Sequence, residues 1–184
     1  MNKTLIFLLF TLLLSSCNKS PVLFDGLYLG MTKDEFNETI EKSENIYKSS
    51  YDKYDYNYKM MGYTYRFWVD FANDKLTRVV GIFVSDEWKR NDINNGVLTD
   101  YYNPNTNMND QTANILSILN KKYGKYEKTV MQENEFSQYL LFKWNKMGYE
   151  VNFKCGGPVE LYYILDAETR DKFYEEEKKK KNKL

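Results

Sequence analysis

"YTYRFWVDFANDKLTRVVGIFV", residues 63–84, carries the strongest secondary-structure signal in the chain. Apolar residues recur at every second position of its first part, at Tyr63, Tyr65, Phe67, Val69 and Phe71. This period of two is typical of a β-strand with one buried face. The segment ANDK, residues 72–75, predicts a hairpin turn, and residues 76–84 predict the returning strand. Trp68 lies on the face opposite Phe67, so it marks the second face of a sheet.

Other alternating segments lie on both sides of this hairpin. Upstream, Tyr54, Tyr56 and Tyr58 share one face, and Gly62 predicts a turn. Downstream, turns are expected at NKMG, residues 145–148, and at CGGP, residues 155–158. The predicted downstream strands are an edge strand over Glu127–Gln132 and three more over about Phe136–Trp144, Tyr149–Cys155 and Val159–Leu165.

The segment GMTKDEF, residues 30–36, predicts the start of a helix. Thr32 and Glu35 have the T-x-x-E spacing of a capping box. Met31 and Phe36 are placed to form a hydrophobic staple across the cap. The helix is expected over about Lys33–Glu44, and its narrow apolar stripe must lean on a sheet.

Two further helices are predicted. Asp110 is the expected N-cap of the second, and Gly124 its C-terminal stop. Its apolar residues fall at helical spacing: Ile115, Leu116, Leu119 and Tyr123. Residues 166–184 predict a polar C-terminal helix, because each of the glutamates 175–177 precedes a lysine by four residues.

This order of elements predicts an α+β domain with helices packed on an antiparallel sheet. The two hairpin turns, 73–74 and 146–147, are 73 residues apart, and the two helix starts, near 33 and 111, are 78 apart. The spacing suggests a duplicated α-β-β-β unit followed by a C-terminal helix. The domain is expected at residues 26–184, with halves at 26–86 and 108–184 joined by a long polar loop.

The N-terminal segment has the order of a secretory signal peptide. Lys3 supplies a positive charge, Leu5–Leu14 is apolar, and the small residues Ser15 and Ser16 follow. The apolar run of ten residues is shorter than the about 20 that a membrane-spanning helix needs. The segment therefore predicts an export signal covering residues 1–16.

The segment LSSC, residues 14–17, resembles the lipobox of bacterial lipoproteins. The resemblance implies cleavage between Ser16 and Cys17 and attachment of diacylglycerol to the Cys17 thiol. Residues 17–25 are then expected to form a lipidated tether that keeps the domain close to its membrane. The implied location is the cell membrane or the outer membrane, with the domain outside the cytoplasm.

Composition excludes several functional classes. Histidine is absent, which excludes Ser-His-Asp and Cys-His nucleophiles and histidine-containing metal sites. The 26 basic and 26 acidic residues balance, so no electrostatic footprint for nucleic acid is present. Loss of Lys3 with the leader changes the net charge from zero to −1. We expect no cofactor.

Cys155 is the second of the two cysteines. Once Cys17 carries lipid, no disulfide can form within the mature chain. Cys155 continues the period-two series of Tyr149, Val151 and Phe153. It is therefore expected on a buried strand face, since an accessible thiol outside the cytoplasm would oxidise.

GLYLGMTKDEF, residues 26–36, resembles the opening of small envelope lipoproteins of the SmpA/OmlA (BamE) family, through Gly30, Met31, Thr32 and Phe36. The segment KKYGK, residues 121–125, resembles the helix exit of such modules. The resemblance implies an architecture shared with β-lactamase-inhibitor-protein-like folds, in which helices pack on an antiparallel sheet.

Three sets of polar residues are candidate sites. Glu133 with Glu135, or Asp70 with another sheet carboxylate, offers an acid pair for glycoside hydrolysis, but solvated strand ends are the favoured interpretation. NDINNGVLTD, residues 91–100, has oxygen ligands for calcium but departs from the EF-hand pattern at Gly96. The lysines at 178–181 could contact anionic head groups, although the neighbouring glutamates favour a solvated helix end.

Tyr101 and Tyr102 belong to the polar loop and follow no strand period. Aromatic side chains on loops are frequent at binding surfaces, so these two are the expected partner contact. The sequence thus predicts a membrane-anchored envelope lipoprotein whose domain binds or scaffolds a protein or glycan and is not an enzyme. A periplasmic inhibitor or immunity protein, and a small carboxylate-based glycan hydrolase, are the alternatives.

Overall fold

The computed structural model describes residues 22–48, 56–60, 62–84, 97, 99–100, 108–134 and 137–182. The helices in these ranges are α1 (Lys33–Lys42), α2 (Asp110–Tyr123) and α3 (Ala167–Lys181). The strands are β1 (Ile46–Lys48), β2 (Tyr56–Met60), β3 (Tyr63–Ala72), β4 (Lys75–Val84), β5 (Thr99–Asp100), β6 (Glu127–Asn134), β7 (Ser137–Lys146), β8 (Tyr149–Cys155), β9 (Gly157–Pro158) and β10 (Glu160–Leu165).

Eight strands form one antiparallel sheet in the order β1-β2-β3-β4-β10-β8-β7-β6. Each half of the chain therefore begins at an outer edge and runs inward, and the two halves meet where β4 pairs with β10. The predicted α+β class, with helices on an antiparallel sheet and a C-terminal helix, is confirmed. Each half has a helix followed by a meander of four strands in the main sheet, one strand more than the α-β-β-β unit that the spacing suggests.

The central hairpin forms as its alternation predicts. β3 and β4 pair over their length, and Asn73 and Asp74 make the turn with φ of 46° and 63°. Tyr65 and Phe67 are fully buried, whereas Trp68 on the opposite face is half-buried. The alternating side chains thus divide between a core face and an outer face.

The core begins earlier than the sequence suggested. Leu23 and Phe24 were assigned to the tether, but they are 1% and 5% exposed. The Phe24 ring stacks on Tyr58 at 4.5 Å between centroids and meets Phe67 edge-on at 5.4 Å. Leu23 and Phe24 therefore belong to the hydrophobic core.

The first helix has the predicted cap. The Thr32 hydroxyl accepts a hydrogen bond from the Glu35 backbone N–H at 3.2 Å, and the Thr32 N–H donates to Glu35 Oε2 at 2.7 Å. Met31 and Phe36 are both buried, as a staple requires. The helix ends at Lys42 rather than Glu44, because Ser43 is already extended and its hydroxyl bonds to Asp25.

The second helix is capped one residue earlier than predicted. Asn109, and not Asp110, accepts the hydrogen bond from the Thr112 N–H, at 2.8 Å. Ile115, Leu119 and Tyr123 are buried as expected. The helix stops at Gly124, whose φ of 80° is a conformation that glycine adopts without strain.

The second half confirms β6 as an edge strand and β8 over the predicted range. Cys155 is 2% exposed on the buried face, as expected. The β7–β8 turn consists of Met147 and Gly148, one residue later than predicted. Three short strands were missed: β1 at an edge, and β5 with its partner β9, which lies inside the predicted CGGP turn.

Candidate binding surface

The outer face of the sheet carries a continuous row of side chains across five strands. The row comprises Trp68, Val80, Tyr162, Asn152 and Lys143, each directly opposite the next in the strand register. Trp68 and Tyr162 are half-buried, and Val80 between them is 2% exposed. Two half-buried aromatic side chains therefore flank a buried apolar strip of β4 on the face opposite the core, which continues over Ile82 and Val84.

Ion pairs lie on both sides of this row. Arg78 Nε is 2.6 Å from Asp70 Oδ2 across the β3–β4 hairpin. The two side chains are 41% and 38% exposed. An exposed pair of this kind stabilises a fold by about 0–1 kcal/mol, so its main effect is to fix the orientation of both charges on the surface.

Two more ion pairs connect the strands of the second half. Lys143 Nζ is 2.9 Å from Glu150 Oε1, and Lys154 Nζ is 3.6 Å from Glu160 Oε2. The Tyr162 hydroxyl also donates to Glu160. Charges of both signs therefore surround the aromatic row, and each cation has an anion within reach.

The carboxylates considered for an acid pair lie only partly within the described residues. Asp70 is paired with Arg78 across the β3–β4 hairpin. The Glu133 side chain and Glu135 lie outside the described residues. In the part of the chain that the structure describes, no group of three or more Cys, Asp or Glu side chains could hold a metal ion.

Two hollows lie on the surface of the described residues, away from the row on the outer face. One, of about 410 Å³, is lined by Asp25, Thr39, Lys42, Ser43, Glu44 and Asn45. Its Asp25 carboxylate already accepts hydrogen bonds from Ser43 and Asn45. The other, of about 450 Å³, lies beside Gly124 and Tyr126 at the end of α2. Both are open to solvent. The first is lined by two carboxylates, Asp25 and Glu44, and the second by none.

The interior contains a cluster of tyrosine hydroxyls that the sequence did not single out. Tyr65 donates to the Leu161 carbonyl at 2.7 Å, and the Tyr123 and Tyr163 hydroxyls are 3.5 Å apart. Burial raises the pKa of Tyr123 to about 12 and raises that of Tyr163 well above its ordinary value. These hydroxyls therefore stay protonated and serve as internal hydrogen-bonding groups.

Several predicted sites lie outside the described residues. These are Ser16 and Cys17, the loop tyrosines Tyr101 and Tyr102, and most of the calcium candidate at 91–100. Of that segment, Val97 bridges Val84, and β5 pairs with β9. The chain directly before Tyr101 is thus attached where β4 ends and β10 begins.

The C-terminal lysines form part of an exposed helix. Lys181 pairs with Glu177 at 2.7 Å, and Lys180 donates to the Asn73 side chain at 2.7 Å. Asn73 also donates hydrogen bonds, from its backbone N–H to Glu177 and from its side-chain amide to Glu176. These bonds attach α3 to the β3–β4 turn. The neighbouring glutamates therefore neutralise much of this lysine run.

The outer face was not recognised as a site from sequence. The sequence pattern that could have indicated it is the series of polar and aromatic residues at alternate positions of β3, β8 and β10, beginning with Trp68. Its members come together only through the strand order, which places β10 between β4 and β8.

Among the described residues, the helices are all too short or too polar to cross a bilayer. No protein-family model matches the chain, and neither a curated protein nor a solved structure matches it significantly. The SmpA/OmlA (BamE) resemblance and the lipobox therefore remain predictions from the sequence.

Proposed function

We propose that this chain is a lipid-anchored protein of the bacterial cell envelope whose domain binds another envelope component and catalyses no reaction. The observation that carries the binding role is the outer face, where Trp68 and Tyr162 lie among three ion pairs. Tryptophan and tyrosine are enriched at the centres of protein interfaces, and polar groups at their rims.

The anchor is supported by the sequence alone. Lys3, the apolar run and the LSSC segment occur in the order of a lipoprotein signal. A lipidated Cys17 with more than one acyl chain would hold the protein stably at a membrane, since one chain alone binds only marginally. The partner is then another molecule of the envelope, protein or glycan.

The anchor is tested by Cys17→Ser in the full chain, expressed in a bacterial host with a radiolabelled fatty acid. We expect the wild-type chain to be shortened and labelled, and the variant to stay a full-length, unlabelled precursor. Cys155→Ser is the matched control, because its thiol is buried and should not be modified. A labelled and shortened Cys17→Ser chain would refute the lipid anchor.

The binding role is tested by in-cell crosslinking of three variants. Lys143→Glu changes the outer face, Tyr101→Ala with Tyr102→Ala changes the loop, and Lys172→Glu on the exposed side of α3 is the charge-matched control. Loss of a buried interface aromatic costs about 2 kcal/mol or more, a roughly thirtyfold weaker complex.

We expect the outer-face variant and the loop variant each to lose a crosslinked species that the control retains. Circular dichroism must show that all three remain folded. Equal recovery from all variants would remove both surfaces from the binding site. Turnover of a glycan by the wild-type protein, abolished in Asp70→Asn, would favour the hydrolase alternative instead.

A further inference from the structure

The chain enters the domain beside the C-terminal end of α2. Lys122, in the last turn of this helix, donates a hydrogen bond from Nζ to the Leu23 carbonyl. Val22, one residue earlier, is 58% exposed. Only residues 18–21 separate Val22 from Cys17, and five extended residue steps reach at most about 18 Å. Whatever surrounds this end of α2 is therefore close to the anchor.

Lysines are concentrated at that end. Lys121, Lys122 and Lys125 are all exposed. Lys146, on the β7–β8 hairpin, donates to the Tyr123 carbonyl and so brings the hairpin against the end of the helix. Burial lowers the pKa of Lys122, which fits its role of holding Leu23. Lys121 and Lys125 are the charges most available to an outside partner.

An exposed apolar side chain occupies the tip of the same hairpin. Met147 is 89% exposed, the most exposed of the large apolar side chains in the described residues. It follows Lys146 directly and sits in the turn between β7 and β8. An apolar tip among lysines is a combination that interacts with the head-group region of an anionic bilayer.

Acidic groups are present beside the basic residues and also at the C-terminal end of α1, which contacts the tether residue Asp25 through Ser43. Near this end, Glu127 bonds to Asn145 and Asp166 caps α3; Glu168 follows in the first turn of α3. The larger acidic set belongs to α1 and its exit: Asp34, Glu35, Glu38, Glu41 and Glu44. The charge distribution thus distinguishes a basic end at α2 from an acidic helix α1.

The other lysine run is less suitable. Lys180 and Lys181 are engaged by Asn73 and Glu177, and glutamates precede the run. This part of α3 attaches to the β3–β4 turn, which also contacts the N-terminus of α1 through Asp74 and Lys33. The tether instead runs through Asp25 to the opposite end of α1, at Ser43.

We infer that Lys121, Lys125 and Met147, which we term the basic end, rest on the anionic surface of the bilayer that holds the lipid anchor. This inference depends on the proposed anchor at Cys17. It gives the domain one orientation, with the basic end towards the head groups.

The test uses the full lipidated chain reconstituted in vesicles with head-group-quencher lipids. A fluorophore is placed either at Met147→Cys or, as a distal reporter, at Tyr47→Cys on β1. Six strand spacings of about 4.8 Å separate β1 from β7, roughly 29 Å. Cys155 is buried and should not react with the dye in the folded protein.

We expect the fluorophore at 147 to be quenched severalfold more than that at 47 in vesicles containing phosphatidylglycerol. The difference should shrink in neutral vesicles and at high salt. Removing Lys121 and Lys125 as K121Q/K125Q should weaken the contact by about fivefold per lysine. The matched control K178Q/K179Q should leave it unchanged.

Flotation of the chain with the vesicles separates the two hypotheses. A chain that carries no lipid and fails to float refutes the proposed anchor. A chain that floats, but is quenched equally at 147 and 47 or is unaffected by K121Q/K125Q, overturns the orientation while leaving the anchor in place.

Discussion

The two halves of the sheet share one connectivity but are held together differently. In the first half α1 has ten residues and buries only Phe36. In the second half α2 has fourteen residues and buries Thr112, Ile115, Leu119 and Tyr123. The first half compensates with aromatic packing around Phe24, which contacts Tyr58, Tyr65 and Phe67. The two halves share a topology, but the helix supplies more of the core packing in the second half and the segment around Phe24 supplies more of it in the first.

The edges of the halves differ as well. β1 has three residues, whereas β6 has eight and exposes Val130 and Met131 by 50% and 37%. A short edge strand offers little for another strand to pair with. The two halves therefore resemble each other near the β4–β10 seam and differ at their outer edges, β1 and β6.

The largest expected effect comes from Phe36, the one residue of α1 that is buried. Phe36→Ala should lower the free energy of unfolding by about 3–5 kcal/mol and release α1 from the sheet. Leu119→Ala should cost about 2–5 kcal/mol but leave α2 attached through Ile115 and Tyr123. Denaturant titration gives the energies, and amide exchange of each helix tests the contrast. Equal protection of α1 and α2 in their respective variants would show that α1 does not depend on Phe36 more than α2 depends on Leu119.

Close backbone approaches exist in both halves. An alanine Cβ at Gly156 would lie 2.4 Å from Tyr139 Cα, in a residue whose φ is 137°. At Gly81 it would lie 2.2 Å from the Arg66 carbonyl oxygen, with an ordinary φ. Overpacking costs about 1–3 kcal/mol, and the positive φ adds about 1–2 kcal/mol.

We therefore expect Gly156→Ala to be more destabilising than Gly81→Ala in thermal or denaturant unfolding. Gly62→Ala is the control, because its φ is 80° but nothing lies within 4 Å of the added carbon. It should show the strain alone. A Gly81→Ala protein as stable as wild type would mean that β3 and β4 can separate locally to accept a methyl group.

The helix caps should be worth similar amounts despite the different burial of the helices. Thr32→Ala and Asn109→Ala each remove an N-cap acceptor and should each cost about 1 kcal/mol. Chemical denaturation of both variants checks this. An unchanged stability for Thr32→Ala would also remove the main structural support for interpreting GMTKDEF as a helix cap.

The smallest expected effect is a dependence of stability on pH that the cap of α1 should show and the cap of α2 should not. The hydrogen bond from the Thr32 backbone holds the pKa of Glu35 below its ordinary value of 4.5, with help from Tyr28. A carboxyl group with a lowered folded-state pKa stabilises the protein above its ordinary value and loses that contribution as pH falls through the folded pKa. The Asn109 cap of α2 does not titrate.

Glu35→Gln should therefore be less stable than wild type near about pH 6, and the difference should vanish below the folded pKa, under pH 4.5. Unfolding curves at several pH values measure it, with Asn109→Ala as the reference whose deficit should not depend on this titration. A Glu35→Gln deficit that persists at low pH would show that its carboxylate charge is not what stabilises the cap.

Strong periodic signals allowed much of the fold to be predicted. β3 and β8 alternate in sequence over ten and seven residues, so their faces follow from sequence alone, whereas β4 is almost continuously apolar and buried and its faces follow only from its pairing with β3. The strands β1, β5 and β9 have two or three residues and exist because a partner strand is present. The Asn109 cap was missed because Asp110 beside it is an equally suitable residue type.

The outer face could be predicted only in part. The Arg78–Asp70 pair joins the two strands of one hairpin, but a register shift between Asp70 and Phe71 places Asp70 opposite Arg78 rather than Thr77, so the turn alone does not predict it. The alignment of Trp68 with Tyr162 depends on β10 lying beside β4, a contact between positions 80 and 162. No local pattern specifies that neighbour.

That seam also determines how the chain must reach its folded state. Each half is a meander of neighbouring strands, so its contacts are local and can form quickly. The β4–β10 junction joins Val80 to Tyr162, and the Tyr65 hydroxyl reaches across it to Leu161. Closing a loop of this length costs about 4 kcal/mol in chain entropy. During N-terminus-first synthesis, the edge of β4 that pairs with β10 therefore stays unpaired until residues 160–165 have emerged, and this interval is when the chain is most exposed to aggregation.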